Sequence, residues 1–239
     1  MQKRKLDRFI QKYNLSGNAE QVKWSFQDDS LSTDFITEDK SLLGSVVMKN
    51  VNFENAEIGV YDTGQLKGLL NVLGEDIDMN IMKFGEKPIS LKVKNNNVSV
   101  DFNLSDLSII PSTPAMKHIP DFGTEIEIDA NFIETFIKGK SALADTTTFA
   151  IVKEGLETKI IIGYSDTNTN RVTIPVKTRM CDLNQPIYFN ADLFKEVLVS
   201  NKECSSAILK VSNEGLAKVN FKVDDYDSEY YIVAMQDVD

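Results

Sequence analysis

The sequence predicts an α+β protein made of two similar β-rich domains, each with two helices packed on antiparallel sheets. Three observations carry that expectation. Most of the chain alternates apolar and polar residues with period two, the pattern of half-buried strands. Four stretches instead space their apolar residues i, i+3, i+4, i+7, the pattern of amphipathic helices. The order of these signals then repeats along the 239 residues. With 42% hydrophobic and 26% charged residues, the chain has enough apolar content for one or two cores.

The strand signals are "QVKWSFQ" (21–27), "SVVMKNVNF" (45–53), "ISLKVKNNNVSVDFN" (89–103), "TEIEID" (124–129), "TKIIIGY" (158–164), "RVTIPVK" (171–177) and "YYIVAMQ" (230–236). Asn95, Asn96 and Asn97 read as a hairpin turn, because asparagine tolerates positive φ, and Asn213, Glu214 and Gly215 read the same way. "DDYDSE" (224–229) reads as a charged hairpin turn. It lacks the spacing and the glycine of an EF-hand loop.

The helix signals are four. Leu6, Phe9, Ile10 and Tyr13 form the apolar stripe of the first, and Leu66, Leu69, Leu70 and Leu73 that of the second. Phe132, Ile133, Phe136 and Ile137 form the third, and Leu193, Phe194, Val197 and Leu198 the fourth. Asp62, Asp129 and Asn190 stand at the N-cap positions of the last three, where a side-chain oxygen would accept an otherwise unpaired amide.

Between the halves lies "IIPSTPAMKHIPDFG" (109–123), a connector by its three prolines, its glycine and its lack of helical period. The expected division is 1–110, a connector at 111–122, and 123–239. Aligning Tyr61 with Phe189 sets Asp62 on Asn190, Lys67 on Lys195 and Leu70 on Leu198. Phe9 and Ile10 fall on Phe136 and Ile137 at nearly the same offset. "LKVKNNNVSVDF" (91–102) is set against "LKVSNEGLAKVNF" (209–221). Each half then reads as helix, strands, helix, strands, an internal duplication.

The chemistry inventory is thin. His118 is the single histidine and sits among prolines, so multi-histidine metal sites are excluded. No serine or cysteine has a nucleophile-elbow context. Gly64 and Gly68 match no phosphate-loop fingerprint. Cys181 and Cys204 show no metal or redox spacing and read as reduced thiols in a cytoplasmic compartment. No apolar run approaches a membrane span, and the basic start "MQKRKLDRFIQKY" lacks the apolar core of a secretion signal. The expectation is a protein that is not an enzyme and has neither cofactor nor metal.

Charge adds one positive clue. The net charge of −10 argues against nucleic acid binding over the whole surface. Yet each helix presents cations opposite its apolar stripe: Arg4, Arg8 and Lys12 with Lys3 and Lys5 beside them, then Lys67, then Lys138 with Lys140 near the helix end, then Lys195 and Lys202. For one helix this is an ordinary solvated face. For four helices in an acidic chain it suggests a phosphate-facing surface.

At "IGVYDTGQLKGLLNVLGEDIDMNI" (58–81), "FAIVKEGLETKIIIGY" (149–164), "PIYFNADLFKEVL" (186–198) and "YYIVAMQD" (230–237) the chain resembles a sliding clamp, the DNA polymerase processivity factor. The resemblance is nearest to clamps of T-even-type phages and more distant to proliferating cell nuclear antigen. It implies two clamp domains per chain, a homotrimeric ring with helices lining the hole, and duplex DNA threaded through it. It also implies a DNA polymerase and an ATP-driven clamp loader as partners, a role in phage late transcription, and a place in the host cytoplasm. In similar clamps a partner peptide enters an apolar pocket under the connector. Here Ile109, Ile110, Pro111, Met116, Ile119, Pro120, Val233 and Met235 would form it, and the same residues serve equally well to pin the connector to the core. Two other classes fit the residues alone: a virion structural or assembly protein without DNA contact, and a small-molecule enzyme or binding protein.

Overall fold

The computed structural model describes residues 1–165 and 169–235. The chain divides into two compact units. Unit 1 comprises Met1–Glu38 and Gly44–Pro114, and unit 2 comprises Asp39–Leu43 and Ala115–Asp239. The division falls inside the proline-bearing segment at 109–123.

Unit 1 begins with helix α1 (Lys3–Asn14), followed by strands β1 (Val22–Gln27), β2 (Ser30–Ile36), β3 (Leu42–Lys49) and β4 (Ala56–Val60). Helix α2 (Thr63–Leu70) follows, and then the meander β5 (Asp78–Phe84), β6 (Lys87–Lys94) and β7 (Ser99–Asn103). Its two sheets run β3-β2-β1-β4 and β5-β6-β7. Unit 2 repeats the scheme with β8 (Thr124–Asp129), α3 (Ala130–Ala142), β9 (Thr148–Glu154), β10 (Glu157–Ile162), β11 (Val172–Val176) and β12 (Thr178–Cys181). β13 (Ile187–Asn190), α4 (Ala191–Ser200), β14 (Ser206–Ser212), β15 (Leu216–Val223) and β16 (Tyr226–Val233) complete it. Its sheets run β11-β10-β9-β13 and β12-β8-β14-β15-β16.

The duplication is therefore one of connectivity. β3-β2-β1-β4 maps onto β11-β10-β9-β13, and β5-β6-β7 maps onto β14-β15-β16. Even β8, which pairs with β14, has a rudiment in unit 1, where Gln2 bridges Asp76 just before β5. Two details of the sequence alignment need correction. The β6–β7 hairpin was matched to the β14–β15 hairpin, but its topological counterpart is β15–β16. Successive hairpins of a meander share alternation and turn chemistry, so a local match slips by one strand. Tyr61 is 39% exposed whereas Phe189 is 1% exposed, so these rings are not equivalent although the caps beside them are.

All four amphipathic stretches are helices, and the three expected caps are made. Asp62, Asp129 and Asn190 accept from the amides of Gln65 (2.7 Å), Phe132 (2.7 Å) and Leu193 (2.9 Å). The apolar stripes build the cores. In unit 1 Phe9 packs edge-on to Tyr13 and Trp24, at 5.5 and 5.7 Å between centroids. In unit 2 Phe136 packs edge-on to Phe149 and Phe194, at 5.2 and 5.0 Å. Both are the aromatic geometry that a quadrupole favours.

The turns follow the expected residues. Asn95 Oδ1 accepts from the amides of Asn97 (3.0 Å) and Val98 (2.7 Å), closing β6–β7. Gly215, at φ +82°, closes β14–β15. "DDYDSE" is a turn only at Asp224 and Asp225, because Tyr226 to Glu229 already belong to β16. Strands β2, β4, β5, β9, β12 and β13 are not marked as separate elements by the sequence pattern. β4, β12 and β13 are short, β5 buries one residue, Ile81, and β9 buries a continuous run, whereas β2 alternates in burial with threonine and serine in place of apolar residues.

Candidate nucleic-acid interface

The four helices stand in two adjacent pairs, α1 with α2 and α3 with α4. Each pair lays its apolar stripe on its own unit's sheets, and the remaining faces carry the cations in question. The structure sorts these cations into three groups. Arg4, Lys138 and Lys202 are exposed, and Lys202 lies in the turn after α4. Lys3, Lys5, Arg8, Lys67 and Lys195 are half-buried. Their stems lie on the protein, and in Arg8 the Nε and Nη2 atoms of the charged head are buried as well. Lys12 and Lys140 are 1% and 3% exposed.

The third group corrects the expectation of a fully solvated basic stripe. Lys140 lies inside α3, not beyond its end. Its Nζ donates to the Ala144 carbonyl at 2.9 Å and pairs with Asp192 of α4 at 2.7 Å. A buried ammonium needs such partners, because desolvation penalises an unpaired charge heavily. Lys140 is thus a tie between two helices. Periodicity put it on the right helix but could not show that Asp192, 52 residues later, would draw it inward.

Unit 1 ties its helices with a different polar set. Asn14 donates to the Ala19 carbonyl (2.9 Å) and to Glu20 Oε1 (3.1 Å). Glu20 Oε2 accepts the Gly64 amide at the start of α2 (2.8 Å), and the Thr63 hydroxyl donates to the Glu20 carbonyl (2.8 Å). Lys67 Nζ donates to Asn14 Oδ1 at 3.5 Å, a long bond that leaves the ammonium available for other acceptors. Nothing in the sequence flagged Asn14 or Glu20. They lie 43 or more residues from the α2 groups they hold.

The helix surface is mixed rather than purely basic. Lys3 pairs with Asp7 at 2.7 Å, and Lys138 pairs with Glu134, whose carboxyl that hydrogen bond holds below its usual range. The Lys138–Glu134 pair is exposed, so it is loose and salt-screened and its cation stays exchangeable with phosphate. The Lys3 side chain is only 12% exposed and more tightly held. Such a surface can attract a polyanion without reading its bases, since charge alone carries no sequence information.

The residues expected to form the peptide pocket fall in both units and differ in exposure. Ile110 is 3% exposed and packs over Gly59 in unit 1, where an added Cβ would stand 2.7 Å from the Ser105 carbonyl oxygen and 3.1 Å from Ile110 Cγ1. Ile109 points outward, 68% exposed. Pro111, Ile119 and Val233 are exposed, Met116 is half-buried and Pro120 is buried. Only Met235 of the set lines a groove in unit 2, of about 330 Å³, formed by residues that include Pro186, Tyr188, Asn213, Glu214 and Gly215. The Met235 amide donates to the Tyr188 carbonyl across it at 2.8 Å. His118 stands 3.8 Å from Glu214 at its rim. Tyr188 lies in β13, and no sequence signal marks it as a groove residue. It packs on Tyr164 at 5.9 Å and covers Ala150, Val152 and Ile161 on the face opposite Phe149.

Buried titratable groups serve the fold. Burial pushes the Tyr13 and Tyr230 phenols well above their ordinary range. Trp24 donates to the Tyr13 oxygen at 3.3 Å and Asn201 to the Tyr230 oxygen at 3.0 Å. Among the described residues no group of three acidic, cysteine or histidine side chains could hold a metal ion, and no helix is long and apolar enough to cross a membrane.

The whole chain aligns with solved clamps. Proliferating cellular nuclear antigen from Entamoeba histolytica matches at a TM-score of 0.74, covering 98% of this chain and 96% of that one, at 14% identity. The fold is that of a sliding clamp. The A. fulgidus PCNA, solved with the C-terminal region of FEN-1 bound, matches at a TM-score of 0.75 over 100% of this chain and 98% of that one, also at 14% identity. No protein-family model matches the sequence, and no curated protein does. The likeness to clamps therefore lies in the duplicated connectivity of helix, strands, helix and strands.

Proposed function

We propose that the chain is the subunit of a homotrimeric sliding clamp that encircles duplex DNA and tethers a replicative polymerase after an ATP-driven loader has closed it. The observation that carries this reading is the pair of open strand edges left by the duplication. β16 has its outer edge engaged, the Val233 amide donating to the Ser41 carbonyl in the segment that leads into β3. β7 and β11 are the counterparts of β16 and β3, and both stand at sheet edges. β7 exposes Ser99, Asp101 and Asn103, while Arg171, Thr173, Pro175 and Lys177 are exposed along β11. One copy's β7 would meet the next copy's β11, acid toward base, and repetition of this head-to-tail contact closes a ring.

Helix cations would then supply weak, sequence-blind attraction to phosphate while the ring supplies retention. The preferred DNA-facing set is Lys3, Arg4, Lys5, Lys67, Lys138, Lys195 and Lys202. Lys12, Lys140 and Arg8, whose guanidinium is largely buried, are structural in this reading. The unit 2 groove at Tyr188 and Met235 would take partner peptides from polymerase and loader, with Met116 and Ile119 on either side of His118, which stands at its rim. The local wording of the sequence supports a phage clamp acting in the host cytoplasm, with late transcription as a second use of the loaded ring.

The test combines mass by light scattering, negative-stain images and polymerase extension of primed circular DNA with loader present. A three-fold ring that raises processivity is expected. Replacing Arg4, Lys5, Lys67 and Lys138 together by alanine should leave the ring intact and reduce synthesis. Unchanged synthesis would overturn the DNA-facing assignment, and a closed oligomer without a hole would overturn the clamp.

A further inference from the structure

β11 carries a proline in the middle of an edge strand, and the ladder fixes where its backbone points. Pro175 lies opposite Lys159 of β10. Proline has no N–H to donate, so this pair can only be of the non-hydrogen-bonded kind. The exchanged bonds belong to the flanking pairs, Thr158 with Val176 and Ile160 with Ile174. Pro175 therefore turns its backbone away from β10, toward the open edge, and period two turns Thr173 the same way. The edge offers the Thr173 amide and carbonyl and the Pro175 carbonyl. The donor at 175 is missing. The counterpart strand of unit 1, β3, reads LLGSVVMK and has no proline. The two repeats thus differ in ladder capacity, and the poorer one is the edge left open to a second copy.

We propose that Pro175 is the residue that keeps the junction between copies weak, shortening the ladder that a second copy's β7 can form on β11, so that this junction is where the oligomer opens. The inference rests on the ring reading above. The occupant is a second copy because the duplication assigns it there and because the charges agree: Asp101 is the charged residue of the exposed β7 row, and Arg171 and Lys177 flank Thr173 and Pro175. A missing donor leaves one β7 carbonyl without a strand partner at each junction, and an unmade bond of this kind weakens association by roughly tenfold. Isoleucine and valine at 174 and 176 and the threonine at 173 are good strand formers, so the weakness is local to position 175.

The experiment compares the full chain with Pro175→Thr and Thr173→Pro by sedimentation over a wide concentration range, with amide hydrogen exchange on associated samples. Pro175→Thr restores a donor at each of the three junctions of a closed trimer and should lower the half-association concentration roughly thirtyfold. Thr173→Pro removes a second donor without touching the β10 ladder and should raise it by a similar factor. Both should keep the wild-type stoichiometry, and association should protect amides in β7 and β11. If neither variant shifts association, the role of Pro175 is wrong while the ring stands. If Pro175→Thr grows open-ended aggregates instead, the proline guards the edge against indiscriminate pairing and the proposal falls. If association leaves β7 and β11 unprotected, the junction lies elsewhere. If no chain associates at any concentration, the ring reading fails and this inference with it.

Discussion

Units 1 and 2 share a connectivity but not a way of holding their helices together. In unit 1 the α1–α2 pair is tied by neutral and acidic groups, Asn14, Glu20 and Thr63, around the start of α2. In unit 2 the α3–α4 pair is tied by one buried ammonium, Lys140, on Asp192. The cores differ in kind as well. Trp24 and Tyr13 each bring a polar atom that must be satisfied, and they satisfy each other, whereas Phe136, Phe149, Phe189 and Phe194 bring none. The lesson is a division of labour between residue types. Apolar period and caps specify the repeat, and polar ties are replaceable as long as each buried polar group finds a partner. That freedom let α1 gather Lys3, Arg4, Lys5 and Arg8 while the equivalent α3 carries Asn131, Glu134, Thr135 and Lys138 on its exposed side.

The largest effect that would test this division lies in the all-hydrocarbon core. Phe136→Ala removes the ring that meets both Phe149 and Phe194, and should cost about 3–5 kcal/mol by denaturant titration. Trp24→Ala in unit 1 should cost a similar amount and in addition leave the buried Tyr13 oxygen without the indole N–H that donates to it. If the two substitutions unfold the same transition, the units melt together; if each moves its own transition, they are independent folding bodies.

The second test concerns the charged tie. Lys140→Met keeps the length of the stem and removes the ammonium, leaving Asp192, which is largely solvated, free to take water. A loss of about 1.5–3 kcal/mol is expected. No loss would mean that the buried pair only offsets its own desolvation, an outcome known for such pairs. Glu20→Gln, the comparable change in unit 1, keeps most of the acceptors and should cost less.

How much of this was legible beforehand follows from the range of each interaction. The four helices and their three side-chain caps depend on contacts within one turn, and the residues announce them: Asp62, Asp129 and Asn190 are followed at once by an apolar period. The hairpin at Asn95 is equally local. Lys12 and Lys140 were placed on the correct helices and given the wrong environment, because burial of a long cation depends on a partner far along the chain. Ile110 and Ile109 are adjacent and chemically alike, yet one seals Gly59 and the other faces water. No period or propensity separates them. The repeat itself was visible at α2 and α4 and slipped at the meander, where every hairpin resembles the next.

If the basic decoration of α1 is the functional gain of unit 1, phosphate attraction should be unequal between units. Arg4→Ala with Lys5→Ala should reduce the slope of log K against log salt for duplex association by up to about two. Lys138→Ala with Lys195→Ala should reduce it less, since Lys138 shares its charge with Glu134. Equal changes would show that the helices of both units face DNA alike and that the clustering on α1 has no special part.

The smallest effect separates the two units at high pH. Tyr13 and Tyr230 are buried, one in each unit, and burial raises both phenols above the unfolded value near 10. A raised acid of this kind is neutral in both states below pH 10, so its contribution is fully present there. Above pH 10 the unfolded chain loses the proton first and stability falls as pH rises, by about 1 kcal/mol per tyrosine at pH 11. Tyr13→Phe should flatten the alkaline loss of unit 1, at a cost near neutrality of about 1 kcal/mol for the bonds to Thr63 and Trp24. Tyr230→Phe should do the same in unit 2, where the Asn201 side-chain amide loses its bond to the phenol but keeps the one to the Val197 carbonyl, so its neutral-pH cost should be the lower of the two. Thermal melts between pH 7 and 11 read both effects, and a wild-type stability that is level across that range would refute the assignment of these phenols as neutral buried groups.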